Sequence, residues 1–302
     1  MKVCADRAAL ITGATGFIGR RLLQPGDLAL VRRSVGLPSE VLGDLQDGAS
    51  LARACEGVGT VFHCAGLADA VAGDDYAHWL TNFEGTRHLA NVAGQSGVKR
   101  FVFFSSVKAM AEPGDECIDE GWPGVPETPY GKSKRAAEEA VLEAGAKYGM
   151  HVVNLRLAMV YGRGSRGNLW KMAQAIDRGW FPRMPETGNR RSIVHVDDVV
   201  DAARLVVTRL EANGRTYIVA DSQPYSTHEI EAAMRDVLRA PAYWGVPAWA
   251  LRGVARLHSR IDRVVERLLG SACYSPARIE RELAWRARVG LAQGLREMLG
   301  QR

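Results

Sequence analysis

At 302 residues, 47% hydrophobic and 24% charged, the chain has the size and composition of one α/β domain with a smaller appendage. Its net charge of +5 is mild and scattered, and no Lys/Arg run interleaves with aromatics, which excludes nucleic-acid binding. No apolar run is long enough to cross a bilayer, and the charged start Met1 to Arg7 is not that of a secretory leader. The five cysteines, Cys4, Cys55, Cys64, Cys117 and Cys273, are odd in number and lack C-x-x-C spacing. The expectation is therefore reduced thiols in a cytoplasmic protein, with no zinc or other metal site.

The apolar run Ala8-Ala9-Leu10-Ile11-Thr12 ends in Gly13-Ala14-Thr15-Gly16-Phe17-Ile18-Gly19, after which a helical pattern begins. A buried strand, a glycine turn and a helix start bring backbone N–H groups against a pyrophosphate. Gly13 permits the turn, Gly16 lets phosphates approach, and Gly19 lets the helix sit close to the sheet. The helix must stop near Gln24, since Pro25-Gly26 breaks it and Leu28-Ala29-Leu30-Val31 reads as the second strand. About nine helical residues rise roughly 14 Å, against about 16 Å for a short strand, so the return is just possible.

The G-x-x-G-x-x-G spacing resembles the short-chain dehydrogenase/reductase superfamily, and the words Thr12 to Gly19 resemble its extended, epimerase/dehydratase branch. The resemblance implies an α/β fold, a Rossmann-type doubly wound parallel sheet with a smaller C-terminal α+β substrate-binding part. Residues 1–164 would form the dinucleotide-binding domain and 165–302 mainly the substrate part, with segments around 193–220 returning to the main domain. Thr15, Phe17 and Ile18 join the glycines as expected cofactor contacts. Strand two ends in Arg32-Arg33, where NAD-specific members carry an acidic residue for the ribose hydroxyl. A guanidinium suits a 2′-phosphate, which points to NADP with NAD as the alternative; two solvated arginines would read the same way.

Val41-Leu42-Gly43-Asp44-Leu45 reads as strand three, and Asp44-Leu45 resembles the family's adenine-contacting pair. A helix over 47–56 and the strand Thr60-Val61-Phe62-His63-Cys64 follow. Cys64, Ala65 and Gly66 would let the chain pass under the cofactor. His63 reads as a structural strand-end residue. Residues 76–95 read as one long helix holding Asn82, in a segment resembling the family's N-x-x-G-T helix, where a buried amide would support the site.

Phe101-Val102-Phe103-Phe104-Ser105-Ser106 reads as a buried parallel strand with two hydroxyls at its carboxyl end, the edge where ligands bind in open α/β sheets. Downstream, Tyr130 and Lys134 sit one turn apart on one helical face. An ammonium stabilises a phenolate and draws the tyrosine pKa below its usual value near 10, although a surface pair has the same spacing. Ser106, Tyr130 and Lys134 resemble the superfamily's Ser, Tyr, Lys triad. That resemblance implies that Ser106 bonds the reacting oxygen, Tyr130 moves the proton, and Lys134 holds the nicotinamide ribose. Ser105 is the alternative hydroxyl and an expected cofactor contact.

Dehydratases of this branch place an Asp-Glu pair after the strand-end hydroxyl; here Val107-Lys108 stands there, which disfavours water elimination and favours hydride transfer at one carbon. Lys108 faces either substrate or solvent, and residues 111–129 read as a loop over the site. His151 to Leu157 reads as a strand leading into a turn, Ala158 to Gly164, that resembles the family's L-R-P-x-x-V-Y-G-P-G. Gly167-Asn168-Leu169 opens a helix, and Asn189 to Asp198 follows. In nucleotide-sugar epimerases and 4-keto-sugar reductases such segments hold the diphosphate, which the resemblance assigns here to Arg191 and Asn168. Pairing of Arg191 with Asp197 or Asp198 would explain it equally well; those two acids also read as an N-cap. The stretch 247–269 mixes apolar residues with arginines, either as a lid over the substrate or as a membrane-surface helix.

The leading reading is a reductase carrying hydride between NADP(H) and C4 of a nucleotide-linked hexose. The alternatives are a UDP-hexose 4-epimerase with tightly bound NAD, a sterol- or flavanone-type alcohol dehydrogenase, and a dinucleotide sensor without turnover. The resemblance further implies a homodimer through the helices at 76–95 and 130–149.

Overall fold

The computed structural model describes residues 8–68, 75–241, 245–247, 249, 265–266 and 268–300. Most of the arginine-rich stretch 247–269 and Cys4 lie outside the described residues. Seven parallel strands form the central sheet: β1 (Ala9–Thr12), β2 (Leu28–Val31), β3 (Glu40–Leu42), β4 (Thr60–His63), β5 (Arg100–Ser106), β7 (His151–Leu157) and β10 (Arg215–Val219). Their spatial order is β10-β7-β5-β4-β1-β2-β3. The order reverses at β1, and a crevice opens there at the carboxyl ends of the strands.

Alternate residues of each strand feed different cores, as a sheet covered on both faces requires. Leu10, Val61, Phe101, Phe103 and Val152 pack under α2 (Gly48–Cys55), α4 (Gly85–Gln95) and α5 (Pro129–Tyr148). Their neighbours Ile11, Phe62, Val102, Phe104 and Val153 meet α1 (Gly19–Leu22) and α7 (Val196–Val206) on the opposite face. A third cluster joins α6 (Asn168–Asp177), α8 (Thr227–Leu238) and α10 (Leu291–Leu299) around Tyr161 and Ile193. Two small parallel pairs lie outside the main sheet: β8 (Met159–Tyr161) with β9 (Ile193–His195), and β6 (Cys117–Ile118) with β11 (Cys273–Tyr274). Helix α9 (Ala277–Leu283) closes the β10 edge.

Three local expectations are corrected. The first helix runs only from Gly19 to Leu22, four residues where about nine were expected, because the glycine turn continues to Ile18. Leu23 is already extended, Asp27 accepts hydrogen bonds from the N–H groups of Ala9 and Gln24, and Arg204 donates to the Leu22 carbonyl. The long helix at 76–95 is three pieces: α3 (Asp75–His78), a π-helical segment Trp79–Glu84, and α4. The N-cap of α7 is His195, whose Nδ1 accepts from the Asp197 N–H. Asp198 is instead buried, accepting from the N–H groups of Arg288 and Val289.

The cysteine expectation also fails for one pair. Cys117 and Cys273, 156 positions apart, are joined by a disulfide. They are register partners in the β6–β11 pair, a proximity that no local spacing announces. Cys55 and Cys64 are free thiols. The cytoplasmic expectation loses the support it drew from an all-reduced set.

Candidate active site

The glycine turn is shaped by contacts that a side chain would occupy. Gly13 has φ +65°, and a Cβ on it would stand 2.8 Å from the Ala65 nitrogen. Gly16 N–H donates to the Gly13 carbonyl at 2.8 Å, and a Cβ on Gly19 would fall 2.2 Å from that same oxygen. The Ala65 N–H donates to Thr12 Oγ1, whose own proton goes to His63 Nδ1 at 2.6 Å. The other ring nitrogen of His63 donates to Thr86 Oγ1, which in turn donates to the Asn82 carbonyl. His63 is fully buried, and desolvation, aided by the nearby Lys134 charge, pushes its pKa down to about 3. It is thus a neutral tie between β1, β4 and the helix above, as expected.

Above the turn lies a cavity of about 1110 Å³. Gly13, Thr15 and Gly16 form its floor, Arg32 and Arg33 one end, and Asp44, Leu45, Cys64, Ala65 and Gly66 further walls. Both arginines are exposed and form no ion pair with any described residue. A dinucleotide fits this arrangement: backbone donors and glycines for the pyrophosphate, and cations at the far end. Phe17, Ile18, Gly19, Asn82, Ser105, Tyr130 and Lys134, also expected to contact the cofactor, are not wall residues. Asn82 acts at one remove: its side chain accepts from Leu67 N–H and donates to the Leu67 carbonyl, fixing the loop after β4. It sits in the π-helical segment, a feature that recurs at functional sites.

Helix α5 begins with Thr128 as N-cap, its hydroxyl accepting from Gly131 N–H, and with Pro129 in the first turn. A Cβ on Gly131 would meet the Lys108 carbonyl at 2.2 Å. That absence presses the helix start onto the turn after β5 and brings Tyr130 beside the segment carrying Ser106. The Tyr130 ring packs edge-on to His78, centroids 5.6 Å apart. Lys134 is buried; its Nζ donates to the Phe104 carbonyl at 2.9 Å and lies 4.6 Å from the Phe103 ring centre. Burial draws its pKa down to about 8, opposed by Cys64 and Glu138.

The two serines part company. Ser105 is buried and donates to Glu138 Oε1 at 2.6 Å, and Glu138 is held by Arg156 in a buried ion pair. Its hydroxyl belongs to that network, in which every charged group is paired. Ser106 is half-buried at the strand end, and its Oγ accepts only the Lys108 N–H among the described bonds. Its hydroxyl proton has no acceptor among the described residues.

On the substrate side, Lys108 pairs with Glu112 at 2.5 Å. Arg191 donates to the Gly270 carbonyl at 2.7 Å and pairs with neither Asp197, which holds Arg21, nor Asp198. Asn168 is exposed at the first position of α6. The cystine ties the loop that begins at Lys108 to the strand following Gly270.

Residues 9–220 match the model of the NAD dependent epimerase/dehydratase family. The chain belongs to that family. It is 30% identical over 315 residues to a UDP-glucose 4-epimerase of Vibrio cholerae, covering 96% of this chain and 94% of the relative. It is 26% identical to a 3-beta-hydroxysteroid dehydrogenase of Mycolicibacterium neoaurum, covering 96% and 90%. Among solved structures, MoeE5 in complex with UDP-glucuronic acid and NAD superposes with a TM-score of 0.78 at 25% identity, covering 97% and 98%.

For this epimerase/dehydratase family member, the sequence missed several walls of the cavity: Thr12, Leu30, Val31, Val35, Gly43, Gln46, Leu67, Leu80 and Thr81. Most lie at or just beyond the carboxyl ends of β1 to β4, so the strand pattern alone could have nominated them. Leu80 and Thr81 could not have been found that way, because they reach the cavity from the π-helical segment.

Proposed function

We propose that the protein is an NADP(H)-dependent reductase acting at C4 of a nucleotide-linked 4-keto-hexose. The observation that carries this reading is the pair of exposed guanidinium groups, Arg32 and Arg33, which form no ion pair among the described residues and stand at one end of the dinucleotide cavity. They suit a ribose 2′-phosphate and hence a cofactor exchanged at each turnover. The bound nicotinamide supplies the hydride.

Ser106 donates its free hydroxyl proton to the substrate's C4 oxygen, and Tyr130 delivers a proton to that oxygen as the carbon is reduced. Lys134, buried under the strand end, supplies positive charge that favours the tyrosinate left behind. The missing acid pair after Ser106 gives the protein no second proton carrier there for elimination.

Purified protein with NADPH and a UDP-linked 4-keto-6-deoxyhexose should oxidise one NADPH per sugar. Tyr130→Phe should lose on the order of 10² to 10⁴ in kcat while still binding NADPH. A second reading, a UDP-hexose 4-epimerase, is favoured by the Vibrio cholerae relative. Interconversion of UDP-glucose and UDP-galactose with no net cofactor change would replace the first reading by it.

A further inference from the structure

Lys134 and Glu138 stand one turn apart on α5, and both are buried against the sheet. They bond to consecutive residues of β5. The Lys134 ammonium donates to the Phe104 carbonyl at 2.9 Å, and Glu138 Oε1 accepts from the Ser105 hydroxyl at 2.6 Å. The next residue is Ser106, whose hydroxyl is assigned to the substrate. From the neighbouring strand, Arg156 is the register partner of Ser105. Its Nε and Nη2 donate to the two Glu138 oxygens at 2.9 and 2.7 Å, while Asn154 donates to the Glu138 main-chain carbonyl at 3.3 Å. One carboxylate thus ties α5 to β5 and β7 at the level of Lys134.

Replacing a buried ion pair by apolar groups is often neutral for stability, so holding the fold does not by itself call for a charge at Glu138. Lys134 does. Burial draws its pKa down to about 8, and the groups facing it are few. From β4 come His63, neutral with its pKa near 3, and the Cys64 thiol, kept protonated because burial pushes its pKa up. From β5 come the Phe104 carbonyl and the Phe103 ring. From its own helix come Tyr130, one turn earlier, and Glu138. Arg156 is not among the charges that shift Lys134. Among the described residues, Glu138 is therefore the one anion that holds the proton on this ammonium.

We propose that Glu138 is a positioning residue of the reaction: it keeps Lys134 charged and seated beneath the carboxyl end of β5, and so sets the pH range in which Tyr130 exchanges its proton. It rests on the roles given above to Tyr130 and Lys134 and not on the identity of the sugar. A buried ammonium that loses its facing carboxylate sheds its proton more readily. A neutral Lys134 does nothing for a tyrosinate.

Glu138→Gln alone would leave Arg156 buried and unpaired, so the test variant is Glu138→Gln with Arg156→Met, which removes both charges and keeps the aliphatic stem. The alkaline limb of kcat for NADPH-dependent reduction should move down by about one pH unit. The loss is then about fivefold at pH 8 and under twofold at pH 6, whereas a purely structural role would lower kcat by one factor at every pH. A second measurement needs no substrate: the ultraviolet absorbance of tyrosinate against pH, taken as the difference between each protein and its Tyr130→Phe counterpart. The Tyr130 midpoint should rise in the charge-free variant. An unshifted limb and equal midpoints in a variant that still melts cooperatively would overturn the proposal. Failure of the wild type to reduce any 4-keto sugar nucleotide would remove the reductase reading alone, because the absorbance titration still decides the role of Glu138.

Discussion

The cofactor cavity is walled largely by main chain and short-range sequence, whereas the substrate side is assembled from side chains brought in from distant parts of the molecule. On the first side, Gly13, Gly16 and Gly19 act by lacking a Cβ, and the groups they make room for are backbone atoms of the same turn and of β4. On the second, Lys108 and Glu112 pair locally, whereas Arg191 and Tyr274 are held by distant segments, Arg191 by the Gly270 carbonyl and Tyr274 by Ser192. A site of the first kind tolerates no added atom. A site of the second kind tolerates exchange of one partner at moderate cost, because each group contributes separately.

The sharpest way to break the cofactor side is Gly19→Ala. The new methyl would overlap the Gly13 carbonyl oxygen, which is backbone and cannot rotate away. The turn must open, and NADPH binding should fall below detection in a titration. UDP affinity should fall far less, since the substrate-side cations Lys108 and Arg191 bond elsewhere, to Glu112 and the Gly270 carbonyl. Retention of NADPH binding within a few-fold would mean that the close approach of helix and turn is dispensable.

The same contrast explains what could be read from the sequence. The strands along the chain, the glycine turn, the buried Phe101-to-Ser106 strand and the Tyr130–Lys134 helix were legible because each depends on local period and steric rules. Helix α1 was overestimated because the glycine turn runs on to Ile18 and the Leu22 carbonyl is taken by Arg204, a residue far away in sequence. The Cys117–Cys273 bond and the role of Ser105 were invisible for the same reason: both are decided by partners on other elements. The π-helical segment around Asn82 has no pattern of its own, since one extra residue per turn leaves the apolar residues readable as ordinary helix.

Asp221 tests the second side's tolerance by intermediate means. It is buried after β10, and among the described residues neither carboxylate oxygen meets a well-formed hydrogen-bond donor; the nearby Tyr225 hydroxyl opposes the upward shift without cancelling it. Burial, with Asp198 adding repulsion, raises its pKa to about 7. An unfolded Asp titrates near 3.8, so between those values the folded chain holds the extra proton. Stability from this group is therefore greatest in acid, falls as pH rises to about 7, and is flat above. Asp221→Asn should raise stability by about 2 kcal/mol at pH 8, with the gain shrinking towards pH 4. Urea unfolding at the two pH values checks the sign; a variant less stable than wild type at pH 8 would show that the ionised carboxylate has a partner after all.

The smallest effect belongs to the link between the two sides. Arg21, in the single turn of α1, donates through Nη1 to Asp197 and through Nη2 to the Arg163 carbonyl, joining the glycine turn to α7 and to the loop after β8. With Asp197 half-exposed and Arg21 about one-quarter exposed, solvent screens the pair, and its coupling should be below about 1 kcal/mol. Arg21→Met keeps the aliphatic stem and removes only the charge and the bonds. In a double-mutant cycle with Asp197→Asn, the interaction energy should be about 0.5 kcal/mol, and NADPH and UDP affinities should each change by less than about threefold. If Arg21→Met abolished NADPH binding as Gly19→Ala is expected to, the turn would depend on the substrate half for its shape, and the division between a backbone-built side and a side-chain-built side would fail.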